Sequence, residues 1–376
     1  MFRVSSASLP PVLEANLRSP VIPKLNGVRA LSAFIVVAYH YGFEYVPTGF
    51  GVLSFFVMSG FLITWLLLQE GDRTGGISLR AFYARRALRI FPAFYVYWVL
   101  ALLFAAVVGV RIIWPQAWAS FFYVANYYQG LNGYPSSGFS HTWSLGIEEQ
   151  FYLLWPAAFL LLANRPRRMF ALLVSGIAVI DVYRVILHNV GVPEEYIYTA
   201  FDTRIDHLLV GCAIAVALHH KIGTRIWRIV ARRAFLPVII GLLAVSIFCG
   251  NVYGIPYRNM IGFAIDPILI GLLLVRLLSR DDRETAWMDS RPVVYLGTIS
   301  YSTYLYQQLV VWPARELLRR AGTPEAMTFI ASALTVWAVA ALSYEVVERP
   351  FLRLKRLWAT PGPVAAKGLS PQRNQL

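Results

Sequence analysis

Apolar stretches about twenty residues long recur from one end of this chain to the other, and they restrict the possible folds more than any other feature. A helix of roughly 20 residues crosses the hydrocarbon layer of a bilayer. Hydrophobic residues make up 57% of the 376 and charged residues only 14%, against the roughly 25% charged residues of ordinary soluble domains. The expected fold class is therefore all-α, a polytopic membrane helix bundle. Ten spans are expected, at about 26–46, 49–69, 88–109, 144–163, 170–189, 205–220, 234–250, 259–277, 293–312 and 326–346. The segment from Ile112 to Gly130 is apolar and aromatic but irregular, and is expected to be interfacial or re-entrant.

The placement of charge orients this bundle. Of the 34 Lys and Arg residues, 27 fall on one side of the expected spans and five on the other, with Arg184 and Arg204 in or at the edge of spans. The positive-inside rule then puts both termini in the cytoplasm. The net charge of +14 resides mostly beside spans, where anionic headgroups attract it, so the bilayer is the expected partner and no nucleic acid is needed. Residues 1–24 carry charge but no apolar core and read as a cytoplasmic tail without a cleavable signal peptide. Residues 25–356 read as one membrane domain. Residues 357–376, rich in Pro, Gly and small polar residues, are expected to be disordered. The two cysteines, Cys212 and Cys249, fall in or beside spans, which suggests neither a disulfide framework nor a metal cluster, and no metal is expected.

Several polar residues stand out against this apolar background. Arg29 and His40 share LNGVRALSAFIVVAYHYGF, and eleven helical residues return a side chain to within roughly 20° of its starting direction. One face of the first span therefore carries a guanidinium near one surface and an imidazole roughly 16 Å further along. A charge at mid-bilayer costs roughly 3 kcal/mol or more, so such residues mark function; the bland alternative is a snorkelling Arg and a packing His. In LRAFYARRALRIFPAFY, Arg86 and Arg89 are neighbours on one helix face, suited to gripping phosphate with forked hydrogen bonds or, more blandly, to anchoring in headgroups. In SHTWSLGIEEQFYLLWP, Glu148, Phe151, Tyr152 and Trp155 follow one helical stripe, expected to line a polar cavity that binds a sugar or similar ring. Glu149 points about 100° away and is expected to face headgroup water or a neighbouring helix. His141 and Ser144 lie at the mouth of the same span. Arg204 and Asp206 open the sixth span and either pair across helices or position its end. Asp266 beside Pro267 suggests a bent span. His207, His188, His219 and His220 are expected at the interface.

Taken together, these blocks resemble the acyltransferase 3 family of bacterial membrane acyltransferases, from about Leu25 to Phe351. Arg29 and His40 match its R-x10-H signature, FGVLSFFVMSGFLIT its second-helix segment, and Arg86 with Arg89 its R-x-x-R pair. HTWSLGIEEQFYLLWP is similar to its most recognisable block, with Glu148 at the acid of E-x-x-F-Y. TRIDHLLVGCAIA, LGTISYSTYLYQQ and SYEVVERPF resemble its later signatures. Many members carry Trp-His where this chain has Tyr306 and Gln307, so Gln307 replaces a residue that could contribute elsewhere in the family. The resemblance implies a multi-pass protein of the bacterial cytoplasmic (inner) membrane that moves an acyl group, commonly acetyl, from cytoplasmic acyl-CoA to a hydroxyl. The acceptor would be a carbohydrate or lipid-linked glycan of the envelope or a secreted product, as in polysaccharide or lipopolysaccharide modification. No second, soluble hydrolase-like module is read in the chain, so a fused second activity is not expected.

Under this resemblance His40 takes the acceptor proton, Arg29 steers the donor or stabilises negative charge, and Arg86 and Arg89 bind the CoA phosphates. Glu148 orients His40 or binds the acceptor. His141, Ser144, Glu149, Tyr152, Arg204, Asp206 and Gln307 are the further cavity candidates. Two other readings stay open: acylation of a small molecule such as a macrolide, and a polytopic transporter of a sugar or polar metabolite. Oligomeric state is open as well.

Overall fold

A computed structural model describes residues 8–358 apart from Pro20, residues 44–47 and Asp282; nearly all of the tail expected to be disordered therefore lies outside the described residues. Among the described residues the regular secondary structure is entirely helical. The chain begins with α1 (Pro11–Arg18), α2 (Leu25–Tyr41), α3 (Thr48–Thr74) and α4 (Leu79–Val108). Two short helices, α5 (Trp114–Phe121) and α6 (Ala125–Asn132), lead to α7 (Trp143–Leu162), α8 (Pro166–Asn189) and α9 (Glu194–Thr199). Next come α10 (Ile205–His219), α11 (Thr224–Val230), α12 (Phe235–Tyr257) and α13 (Phe263–Leu278). The last group is α14 (Arg283–Ala286), α15 (Arg291–Thr298), α16 (Ser300–Arg320), α17 (Glu325–Ser343) and α18 (Arg349–Leu354).

Every expected span falls at least in part on a helix, with residues 44–46 of the first lying outside the described residues, but six stretches are long and apolar enough to cross a membrane, or seven when the bent pair α10 and α11 counts as one. The spans expected at 234–250 and 259–277 share one run, Phe235–Leu278, bent at Gly254, where φ is +60° and glycine relieves the strain of a left-handed backbone. The span expected at 293–312 is broken at Ile299 between α15 and α16, and α16 continues to Arg320. α2 is 17 residues long, and α16 carries Arg315, Glu316, Arg319 and Arg320. The 112–130 segment forms α5 and α6, eight residues each and too short to cross.

The bundle is held at its centre by backbone-to-backbone packing of α3 on α10. A Cβ built on Gly60 would lie 1.9 Å from the carbonyl oxygen of Leu208, and one on Gly211 would lie 2.0 Å from that of Val57. Small residues of this kind let helices approach closely where lipid supplies no hydrophobic drive. α2 lies alongside α3 and α15, α16 pairs with α17, and α8 backs α10. α12 buries only Ile239 and Ser246, the pattern of a lipid-facing helix. Within the segment read as an N-terminal tail, α1 buries Leu13 and Leu17, and Asn16 donates to the Leu278 carbonyl at 2.9 Å, docking it on α13. At about 1.5 Å per residue, the 30-residue α4 is roughly 45 Å long and outreaches a roughly 30 Å hydrocarbon layer.

Candidate active site

Five helices surround a cavity of about 100 Å3. α2 contributes Arg29, α3 contributes Ser59 with Phe55 and Phe56, α4 contributes Arg86 and Arg89, α7 contributes Ser144, Glu148, Glu149 and Tyr152, and α16 contributes Tyr301 and Tyr304. The fold thus brings together seven of the residues singled out from the sequence. Among the described residues, Arg29, Arg86 and Arg89 make no hydrogen bond or ion pair within 4 Å. Arg86 instead lies over the Tyr152 ring, 5.3 Å from its centroid. Glu148 and Glu149 line the same space and offset part of this charge, and three guanidinium groups without a direct partner there suit an anionic ligand that accepts forked, charge-assisted hydrogen bonds.

The acidic side of the cavity is organised by hydroxyls. Tyr152 donates to Ser59 Oγ at 2.9 Å, and Ser59 donates to Glu148 Oε1 at 2.6 Å. Glu149 lines the same cavity, which corrects the expectation that it faces elsewhere. The lining face of α7 is broader than a single stripe and includes Ser144, Leu145, Glu148, Glu149 and Tyr152, so two long carboxylate side chains about 100° apart both reach it. Phe151 and Trp155, expected on the lining stripe, are packed in the core instead, with Trp155 Nε1 donating to Thr64 Oγ1 at 2.9 Å.

A hydroxyl pair lines the cavity. Ser144 Oγ and the Tyr304 hydroxyl lie 2.5 Å apart, and Tyr304 donates to the His141 carbonyl at 2.9 Å. His40 is not part of the lining and sits on α2 roughly 16 Å along the axis from Arg29. It is half-buried, packs edge-on against Tyr39, and places Nδ1 2.8 Å from the Val36 carbonyl. A carbonyl only accepts, so Nδ1 carries the proton and the neutral ring keeps its lone pair on Nε2. His141 lies within electrostatic range of His40. Its Nδ1 is 3.1 Å from Gln308 Oε1, and its buried Nε2 has no hydrogen-bond partner among the described residues. Gln307 is fully buried one turn from Tyr304, and both of its amide atoms likewise lack partners there.

Arg204 and Asp206 belong to a different cluster. Arg184 of α8 bridges Asp206 Oδ2 at 2.9 Å and also Asp181, tying α8 to α10. Arg204 is completely buried with its guanidinium 3.8 Å from the Phe263 ring centroid, beside Tyr198 and Trp143. His207, expected at the interface, is instead fully buried, with Nε2 3.1 Å from the Phe263 carbonyl. Asp266 accepts from Ser246 at 2.6 Å and ties α13 to α12. His219, by contrast, sits at a helix end with Nε2 2.8 Å from Asp72 Oδ2. Among the described residues, no group of three or more His, Cys, Asp or Glu side chains could hold a metal ion.

Two functional candidates escaped the reading of the sequence, Ser59 and Tyr304. The signal for Ser59 is a hydroxyl one residue before a close-packed glycine in an otherwise apolar span. For Tyr304 it is a run of hydroxyl residues, SYSTY, opening a helix.

Comparison with known proteins identifies the family of the chain. The Acyl_transf_3 family model, described as an acyltransferase domain, matches residues 22–345. The peptidoglycan O-acetyltransferase OatA of Listeria monocytogenes serovar 1/2a is 29% identical over 351 residues, covering 88% of this chain and 55% of that protein. The putative peptidoglycan O-acetyltransferase YrhL of Bacillus subtilis (strain 168) is also 29% identical, covering 88% of this chain and 54% of that protein. The putative O-acetyltransferase SACOL0978 of Staphylococcus aureus (strain COL) matches at 29%, covering 88% and 57%. The chain thus spans a little over half the length of these relatives. No solved structure matches. A family match over most of the chain, with the arginine and glutamate motifs converging on one cavity between long apolar helices, makes this chain a member of the acyltransferase 3 family of enzymes.

Proposed function

We propose that the chain is a multi-pass O-acetyltransferase of the bacterial inner membrane, with ten crossings and both termini cytoplasmic, taking acetyl from cytoplasmic acetyl-CoA to a hydroxyl of a cell-envelope carbohydrate. The observation that carries this reading is the set of three unpaired arginines in the cavity of an acyltransferase-family chain. The 27-to-five distribution of basic residues puts the basic start of α4 on the cytoplasmic side, where acyl-CoA is found. The names of the relatives support a cell-wall glycan as acceptor.

In this mechanism Arg86 and Arg89 hold the pyrophosphate and the thioester extends past Arg29 toward Tyr304. His40 Nε2 accepts the proton of the acceptor hydroxyl as its oxygen attacks the thioester carbonyl. Arg29 stabilises the negative charge developing on the donor. The carbon–sulfur bond breaks, the ester forms, and the proton taken by His40 is returned to the CoA thiolate.

The test is release of CoA thiol by the purified protein in lipid nanodiscs supplied with acetyl-CoA and cell-wall saccharides. His40→Ala should lower turnover 10²–10⁴-fold, the usual cost of losing a general base, in a variant that still folds. Arg86→Ala and Arg89→Ala should each weaken acetyl-CoA binding roughly tenfold or more, with Lys only a partial replacement. Wild-type rates in His40→Ala would remove it from the mechanism, and unchanged donor affinity in both Arg variants would return that pair to lipid anchoring.

A further inference from the structure

Lys355 lies outside every motif considered above. It opens the 3-10 turn Lys355–Trp358 that follows α18, and this turn folds back onto α4. Two contacts fix it. Arg85 donates from Nη1 to the Trp358 carbonyl at 2.9 Å, and the Arg80 guanidinium lies 5.5 Å from the centroid of the Trp358 ring. Lys355 is half-buried and within electrostatic range of Arg85, Arg86 and Arg89, with Glu348 as the acid on their side. Arg85 has a partner in Glu70 at 2.7 Å. Among the described residues Lys355 has no ion pair or hydrogen bond, the same condition as Arg86 and Arg89.

Gathering like charges opposes folding, and Glu70 and Glu348 offset only part of the charge of Arg85, Arg86, Arg89 and Lys355. Charges that only anchored the protein in headgroups would be equally well served if splayed outward. Here a separate segment, whose Trp358 lies 273 residues along the chain from Arg85, is folded onto the start of α4 at Arg80 and Arg85, and brings a half-buried cation to the place already richest in them. The clustering fits a ligand with more than one phosphate. Coenzyme A carries its pyrophosphate between the thiol arm and the nucleoside, and a separate 3′-phosphate at the nucleotide end. With the thioester innermost and the pyrophosphate on Arg86 and Arg89, the 3′-phosphate would extend beyond the cavity lining, to which Lys355 does not belong. We propose that Lys355 is the outermost phosphate contact of the donor site and binds the 3′-phosphate of the acyl-CoA nucleotide. This inference rests on the donor reading given above.

The experiment compares the affinities of CoA and dephospho-CoA, which lacks only that phosphate, for the full chain in nanodiscs of zwitterionic lipid. The wild type should bind CoA about tenfold more tightly, as expected for one partly exposed charge-assisted contact. Lys355→Ala should lose most of that preference while its dephospho-CoA affinity changes less than about twofold, and Lys355→Arg, which keeps the charge, should retain it. Equal loss for both ligands, or an unchanged preference in Lys355→Ala, overturns the proposal. So does a wild type that binds both ligands equally well, with Lys355→Ala reducing only retention on vesicles of anionic phospholipid; the phosphate that Lys355 takes would then be a lipid headgroup. Failure of the wild type to bind either nucleotide would overturn the donor reading itself, and this inference with it.

Discussion

Ser59 and Tyr152 hold Glu148 in one orientation, whereas Glu149 lines the same cavity with no hydrogen-bond partner among the described residues. The two acids therefore have unequal roles to lose. Glu148→Gln keeps the size of the side chain but offers Ser59 an amide in place of a carboxylate, and should abolish most turnover. Glu149→Gln should retain more of it. The comparison is made at matched amounts of folded protein, and a greater loss in Glu149→Gln would assign the reacting face to Glu149. At this scale the sequence was informative wherever helical periodicity alone decides direction. Arg29, Arg86, Arg89, Glu148 and Tyr152 were each placed on a face, and the faces meet. It was uninformative wherever direction depends on what lies across the gap. Nothing in the sequence says that Asp206 meets Arg184 on α8, or that Arg204 lies over Phe263.

At the scale of the helix, the contact between α3 and α10 leaves no room for a methyl group. Gly60→Ala and Gly211→Ala each set a Cβ about 2 Å from a carbonyl oxygen of the facing helix, so the helices must separate. Overpacking of this kind costs roughly 1–3 kcal/mol or more, and the two changes should not add, because they relieve the same contact. Thermal melts in detergent should show a large drop in Tm for either, and none for Gly241→Ala, whose Cβ meets nothing within 4 Å. Gly60→Ala should also impair turnover in the protein that does fold, because Ser59 precedes it and holds Glu148. Apolarity located every expected span at least in part on a helix, since burial in lipid is a property of local composition. The bend at Gly254 falls in the gap between the spans expected at 234–250 and 259–277, where a glycine two residues before Pro256 is its local signal, whereas the break at Ile299 interrupts a single expected span that apolarity runs through.

For the whole molecule, the distribution of basic residues predicts a single orientation. Arg167 at the start of α8 and Asn189 at its end are both exposed and should lie on opposite sides of the membrane. With Cys249 replaced by Ser, Asn189→Cys should react with a membrane-impermeant maleimide added to spheroplasts, and Arg167→Cys only after lysis. The reverse pattern would invert the bundle and place the arginine cavity away from the acyl-CoA pool. The same experiment on the remaining connections would count the crossings, where length and apolarity alone identify six or seven.

The hydroxyl pair of Ser144 and Tyr304 has an electrical meaning. On the proposed route, the arginine-lined cavity shares the voltage of the compartment it opens to, and the membrane potential falls across the part of the bundle between that cavity and His40, which lies outside its lining. Moving one charge through a 100 mV potential takes about 2.3 kcal/mol. The CoA phosphates stay with the arginines and never enter that region; the acetyl group crosses it one way and the proton taken by His40 returns the other way to the thiolate, so that no net charge crosses. Transfer is then electrically silent, and its rate in proteoliposomes should not change when a potassium diffusion potential of either sign is imposed.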